Sequence, residues 1–485
     1  MASLSSTPLK FKHLYGTPNK KDQSFYNLRP NVNVAMDANV IAANSKFWAC
    51  PWEGGGGPVY VSAHDGFGKC EPQSVPLLNG HKAPVSSLGW SNNDLLATGS
   101  EDQHVLLWKL DDQGLTASQT VSDAIADLEG HSYAIRSVEW HPLAPILATA
   151  AGSGSTEMKI WDVDAQQAIT SSSLEAEGVL NMSFNWDGCL MAFASRSAPA
   201  KILDPRTGEV VSETPVEPST RGQRVIWLTN FGANSTLLTV DNAGGARGRR
   251  ICLWDLKNLS QPLIQTKVDS ANGCLFPLYD EGTGTILLSG RGDNTIRVFE
   301  LGAGCTTISH CSDVSIAGEP MSGIALLPKK CCNVANVETH KILRLSPTTV
   351  QPVTFVLPRS EQLKMYFQDD IFPPTRSESY VQTASEWTSG EAAEPARETL
   401  RPGVMPLLSE KPPEPKRTSN SELMKAQLDT AKSEDEQRES VMARMQALAV
   451  QRSQYHPNTS MGAKTGVDAT PIYDSDDGGW SDDDD

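Results

Sequence analysis

"NGHKAPVSSLGWSNNDLLATGSEDQHVLLWKL" occupies residues 79–110, and "EGHSYAIRSVEWHPLAPILATAAGSGSTEMKIWDV" follows it at 129–163. Both segments open on Gly-His and place a tryptophan ten residues beyond the glycine (Trp90, Trp140). Both then run through a strand of small residues and close on an apolar strand containing a second tryptophan (Trp108, Trp161). A unit of this kind cannot bury its own faces, but stacked copies can.

Weaker closing strands recur on either side: "PVYVS" (58–62), "AKILDP" (200–205), "ICLWDL" (251–256), "IRVFEL" (296–301) and "KILRLSP" (341–347). Their spacing, roughly 42 to 53 residues, lies slightly above the ~40–45 of WD repeats. Seven closers predict an all-β fold, a seven-bladed WD-repeat β-propeller, because short apolar strands suit small sheets buried against their neighbours. In the first full repeat His81, Ser100, Asp102 and Trp108 fall where a buried polar relay would pin the turns, a charge-assisted arrangement that is strong only if every member is satisfied. The second repeat keeps His131 and Trp161 and offers Glu157 near the aspartate position. These histidines read as structural rather than as metal ligands or catalytic bases.

The totals narrow the function. The chain has 485 residues, 39% of them hydrophobic, which suffices for a large core. The opening "MASLSSTPLKFKHLYG" has no charged region followed by an apolar one, and no stretch approaches the ~18 apolar residues that span a bilayer. Nine cysteines without a CxxC pair read as reduced thiols in cytosol. The net charge of −17 is uneven: Lys10, Lys12, Lys20, Lys21 and Arg29 make the N-terminal arm basic, and the far end is acidic. Nucleic acid, which demands a broad basic face, is not an expected partner.

From about residue 373 the composition turns rich in Pro, Ser, Thr and Glu, which predicts a disordered linker over 376–418. Residues 419–455 lack Pro and Gly and carry a candidate capping box from Ser419 to Glu422, so a helix is expected there. Residues 456–485 end in "DSDDGGWSDDDD", with seven aspartates around Trp480.

At this point the motifs converge on a family. "LKFKHLYGTPNKKDQSFYNLR", both Gly-His repeats, "DSANGCLFPLYD" (269–280), "SGRGDNTIRVFEL" (289–301), "EPMSGIALLPKKCCNV" (319–334) and "YFQDDIFPPT" (366–375) resemble coronins, the WD-repeat actin regulators. The resemblance implies a propeller over 1–375 with a C-terminal extension packed on its face, binding to filamentous actin, and a role there for the arginine that closes the N-terminal segment. That arginine is Arg29, with Lys20 and Lys21 beside it.

Many coronins end in an oligomerising coiled coil. Here the best heptad frame puts Met424, Gln427, Ala431, Glu434, Arg438, Val441, Met445 and Leu448 at a and d, and three of these are long polar or charged residues, which leaves self-association open. The segment "SVMARMQALAVQRSQYH" with its acidic sequel instead resembles the connector-and-acidic module of the Wiskott–Aldrich family, which binds the actin-related protein 2/3 complex. Val441, Met442, Met445, Leu448 and Ala449 form one helical stripe with Arg438, Arg444 and Arg452 around it, and Trp480, Asp482 and Asp483 would extend the contact.

Other motifs are set aside. "PWEGGGGPVY" (51–60) lacks the Gly-Lys-Ser/Thr of a phosphate loop and reads as a blade turn. "RGD" (291–293) reads as a chance match in a strand turn, and "AGGARGRR" (243–250) as a solvated loop. No nucleophile elbow or zinc spacing is present, and no cofactor is implied. The expectation is a cytoplasmic, non-enzymatic scaffold of the actin cytoskeleton. The alternatives are a WD-repeat adaptor in membrane trafficking or signalling with little actin binding, and a propeller hydrolase with a buried polar site in its central channel.

Overall fold

The computed structural model describes residues 9–33 and 38–411, with short interruptions at 72–73, 117, 153, 175–177, 197, 216–221, 231–232 and 244–245, and a separate segment at 420–453. Residues 1–411 and 412–485 are two compact units, each described by itself.

In the first unit each repeat folds as one antiparallel sheet. Blade two runs Val85–Trp90, Leu95–Ser100, Val105–Lys109 and Ala126–Leu128 in chain order from the axis outward. Blades three to six repeat this four-strand path, and blade one carries a fifth strand at its outer edge. The second strand of a blade is almost wholly buried, as in Leu95–Ser100 and Ile146–Ala151, because sheets press on both its faces. Seven apolar clusters result, one in each gap between blades. Ala97, Val105 and Leu107 of blade two meet Ile135, Val138, Leu147 and Trp161 of blade three, for instance. Gly99 is required there: a Cβ would lie 2.5 Å from Ile135 Cγ2, so no side chain fits between the two sheets.

The ring closes with strands from the two ends of the unit. Blade seven supplies Gly323–Leu326, Glu338–Leu345 and Thr349–Val356, and Tyr15–Pro18 pairs with the last of these in the register Tyr15↔Val356 to Pro18↔Val353. Phe25–Tyr26 continues the edge and also pairs with Gly68–Lys69, which links blade seven to blade one. This corrects the seventh closer. "KILRLSP" lies on the second strand of its blade, where the other closers lie on the third, because the N-terminal arm provides the outermost strand.

The linker expected over 376–418 is also corrected. Residues 376–411 belong to the propeller unit, and 412–418 lie outside the described residues. Thr375–Arg376 pairs with Arg397–Glu398, and between them a short helix, Ala384–Ser389, starts in a capping box formed by Thr383 and Glu386. Trp387 is fully buried between blades three and four. Its Nε1 donates to the Gly188 carbonyl (3.1 Å), and the Arg206 guanidinium lies 5.0 Å above its ring while donating to its carbonyl. Leu400, Met405 and Leu407 then pack on the cluster that holds Phe11, Phe367, Ile371 and Phe372. The extension is a strap held by a few anchors, and its average composition conceals them.

Candidate functional site

In blade two three of the four relay residues, His81, Asp102 and Trp108, are joined through a fifth, Thr98. His81 Nδ1 lies 3.0 Å from the Asp102 carboxylate and Nε2 lies 2.8 Å from Thr98 Oγ1, to which Trp108 Nε1 also donates (2.9 Å). Asp102 accepts the amides of Lys82 (2.8 Å) and His104 (3.1 Å) as well. Ser100 stands outside the side-chain chain: it accepts the Asp102 amide and donates to the Ala83 carbonyl, closing the turn. Burial opposes the charge on Asp102, but the bonds from His81 and the Lys82 amide outweigh it and hold the carboxyl well below its ordinary range.

Blade three repeats the pattern on Thr149, with His131 Nε2 at 2.7 Å, Trp161 Nε1 at 2.7 Å and Glu157 at 3.3 Å from His131 Nδ1. Glutamate thus reaches the site, and it also takes the Ser132 amide. Trp254 and Thr239 keep the tryptophan–threonine half of the relay in blade five. Sequence reasoning missed the threonines, although "LLATGS" and "ILATAA" carry Thr98 and Thr149 at matching places.

"AGGARGRR" is not a solvated loop throughout. Arg249 begins a strand and is fully buried. Its guanidinium meets Asp269 at 2.6 and 2.5 Å and Asp293 at 2.7 Å, and Arg297 joins the same pair of carboxylates. Arg250 pairs with Asp241 (2.8 Å). Only Arg247 of the three stays exposed. Asp293, the acid of "RGD", is therefore a strut between blades five and six.

The innermost strands ring a channel of about 250 Å³ lined by Ser87, Glu139, Asn181, Ser183 and Arg224 among others. Its small polar groups are spent on stitching blades together. Ser87 accepts the Val138 amide, Ser183 the Trp227 amide, and Asn181 bonds both the amide and the carbonyl of Val225. Glu139 keeps some solvent contact inside the channel, but the enclosing strands push its carboxyl up to about 8. This is inter-blade bracing rather than the nucleophile–base geometry that a hydrolase needs.

The arm is anchored at both ends. The backbone amides of Lys10 and Phe11 donate to the Glu300 carboxylate, and the Arg29 carbonyl accepts from Glu53 in a turn of blade one. Between them Lys20, Lys21 and Arg29 are exposed. Among the described residues no carboxylate pairs with any of the three, and Lys21 instead sits over the Tyr26 ring, 4.7 Å from its centroid.

In the second unit one helix spans Asn420–Ser453. Val441, Met442, Met445 and Leu448 are each more than half exposed along it, and Arg438 and Arg444 are exposed beside them. The Arg452 side chain and Trp480, Asp482 and Asp483 lie outside the described residues. No helix among the described residues is long and apolar enough to cross a membrane.

Comparisons with known proteins follow the same division. Residues 72–109 and 122–162 match the WD domain, G-beta repeat, residues 350–395 match a type of WD40 repeat, and residues 6–69 match a domain of unknown function, DUF1899. The chain is 31% identical to Coronin-2A of Homo sapiens over 421 residues, covering 83% of this chain and 77% of that protein. It is 32% identical to Coronin-like protein crn1 of Schizosaccharomyces pombe over 393 residues, covering 80% and 63%. The crystal structure of the WD40 domain from Toxoplasma gondii coronin superposes with a TM-score of 0.74 at 26% identity, covering 81% of this chain and 99% of that one. With the ring, its strap and these relatives in agreement, the chain belongs to the coronin family.

Proposed function

We propose that this protein binds actin filaments through the basic arm at the ring closure, and that its C-terminal unit engages the actin-related protein 2/3 complex. The observation that carries the first part is the state of Arg29, Lys20 and Lys21. All three are exposed, lack a carboxylate partner among the described residues and lie beside the paired strands Tyr15–Pro18 and Phe25–Tyr26. Acidic filaments would be steered to such a surface, with affinity falling as salt rises. The same reading has the protein working in the cytoplasm on the actin cytoskeleton, as the resemblance to coronins implies. In cosedimentation with filaments, Arg29→Asp is expected to weaken pelleting and leave the melting temperature alone. A variant that pellets normally removes Arg29 from the contact, undiminished pelleting of an Arg29/Lys20/Lys21 triple variant moves the contact off the arm, and failure of the wild-type chain to pellet favours the adaptor reading.

The second part is supported by the exposed stripe of Val441, Met442, Met445 and Leu448 and by the sequence of the acidic end. Arg444, Arg452, Asp482 and Asp483 would supply salt-sensitive contacts, and Trp480 an aromatic anchor of the sort whose loss commonly costs ~2 kcal/mol or more. In pull-downs of the complex by the full chain, Trp480→Ala and Met445→Asp should each lose most of the binding while filament binding persists. Wild-type capture by both variants would reject the proposed contacts.

A further inference from the structure

One cluster on the outer edge of blade two takes no part in the relay or the arm. The imidazole of His104 and the carboxylates of Asp127 and Glu129 each direct a donor atom into one space, and these atoms lie within 4.8 Å of one another. The sheet sets the arrangement. The register Val105↔Leu128 and Leu106↔Asp127, continued by one pair, puts His104 opposite Glu129. Asp127 and Glu129 are two residues apart and so share a face. His104 is fixed from behind by its amide bond to Asp102 (3.1 Å), and Leu128, between the two acids, is buried.

His104 Nδ1 already stands 3.0 Å from both oxygens of Asp127. Ligands about 2.0–2.1 Å from a tetrahedral zinc ion are roughly 3.3 Å apart, so two donors are close to their coordinated spacing before any ion arrives. Glu129 makes no hydrogen bond or ion pair among the described residues, and two carboxylates held this close repel unless a cation lies between them. An imidazole among oxygen donors favours a borderline metal such as zinc over magnesium or calcium, which prefer oxygen alone.

We propose that His104, Asp127 and Glu129 form a zinc-class metal site with its fourth position open to water. The ion ties the outer strand of blade two, and the Gly130–His131 entry to blade three, to the turn that carries Asp102. No sequence spacing marks it, because the ligands come from two strands that meet only in the sheet.

The test uses the full chain without an affinity tag, titrated with zinc by calorimetry and melted with and without the metal. One equivalent should bind at pH 7.5. Zinc should raise the melting temperature where magnesium and calcium do not. His104→Gln and Glu129→Gln, at exposed positions, should fold normally and lose at least the roughly tenfold affinity that even an outer-shell change costs. Zinc bound equally well by both variants would assign it to the thiols and overturn the proposal. Failure of the wild-type chain to bind zinc would also overturn it.

Discussion

His81 and Trp108 share a single partner atom: Thr98 Oγ1 lies 2.8 Å from the imidazole Nε2 and 2.9 Å from the indole Nε1. The Gly-His turn that precedes blade two and the blade's third strand therefore meet at one buried hydroxyl on its second strand. Thr98→Val keeps the shape and strands a ring nitrogen on each side, which is expected to cost about 1–3 kcal/mol per unsatisfied group. Asp102→Ala should cost roughly 2–4 kcal/mol, and Asp111→Ala, on an exposed turn, nearly nothing. Thermal melts of the three variants check the order, and equal melting of Asp102→Ala and Asp111→Ala would dissolve the relay.

The Arg249 cluster should be less forgiving than the relay. Removing this buried guanidinium leaves Asp269 and Asp293 with only the Arg297 guanidinium between them, and breaking such a buried pair costs about 3–5 kcal/mol. Arg249→Lys is expected to recover only part of the loss, since an ammonium cannot serve both carboxylates and the Gly273 carbonyl in one plane. Denaturation curves for the alanine, lysine and wild-type chains test this, and full rescue by lysine would argue against the planar fork.

The strap gives a third expectation. Trp387→Ala should cost about 3–5 kcal/mol, comparable to a core aromatic, although the residue sits in a segment with a linker's composition. A chain ending at 411 should be more stable than one ending at 375, which loses Trp387 and the packing of Leu400, Met405 and Leu407. Equal stability of the two would show that the strap is not part of the folded unit.

Acid should weaken the ring through two buried imidazoles, an effect that Glu139 partly offsets because its raised carboxyl takes up a proton in the fold first. Burial lowers His141 to about 3 and His340 to about 4, so both are neutral in the fold. An unfolded histidine titrates near 6.5, so between about 6.5 and 4 the unfolded chain binds protons that the folded one refuses. The stability is complete above the unfolded value and is lost as pH falls toward the folded one, by roughly 1.4 kcal/mol per pH unit for each imidazole. Urea unfolding at pH 7, 6 and 5 should show this slope, and His141→Asn should reduce it. An unchanged slope in that variant would mean that His141 stays solvated.

What the sequence disclosed and what it withheld follow from the range of the interactions. Repeats and closers were legible because strand apolarity is local. The seventh closer slipped by one strand because "KILRLSP" is as apolar as any closer, and its place in the blade depends on an arm from the other end of the unit. Thr98 lies within ten residues of Trp108 and could have been found by aligning the two repeats. Arg249 could not, since its partners lie 20 and 44 residues away and an arginine-rich run usually faces water. The strap was hidden for a related reason: one tryptophan, a capping box and a few ion pairs hold a stretch that is otherwise polar. Of the proposed filament contact, the charge was visible in the sequence, but the anchoring of Lys20, Lys21 and Arg29 was not.

The pairing of Tyr15–Pro18 with Val353–Val356 also sets an order of events during synthesis. This strand leaves the ribosome long before its partner, which is made only after six other blades have been translated. Until then the arm has no sheet edge to join, and a nascent chain should present Arg29 as a loose basic peptide rather than as a fixed surface. Competence for the proposed filament contact would thus arrive in one step, at ring closure, and stalled or truncated chains would lack it however much of the propeller they had already folded.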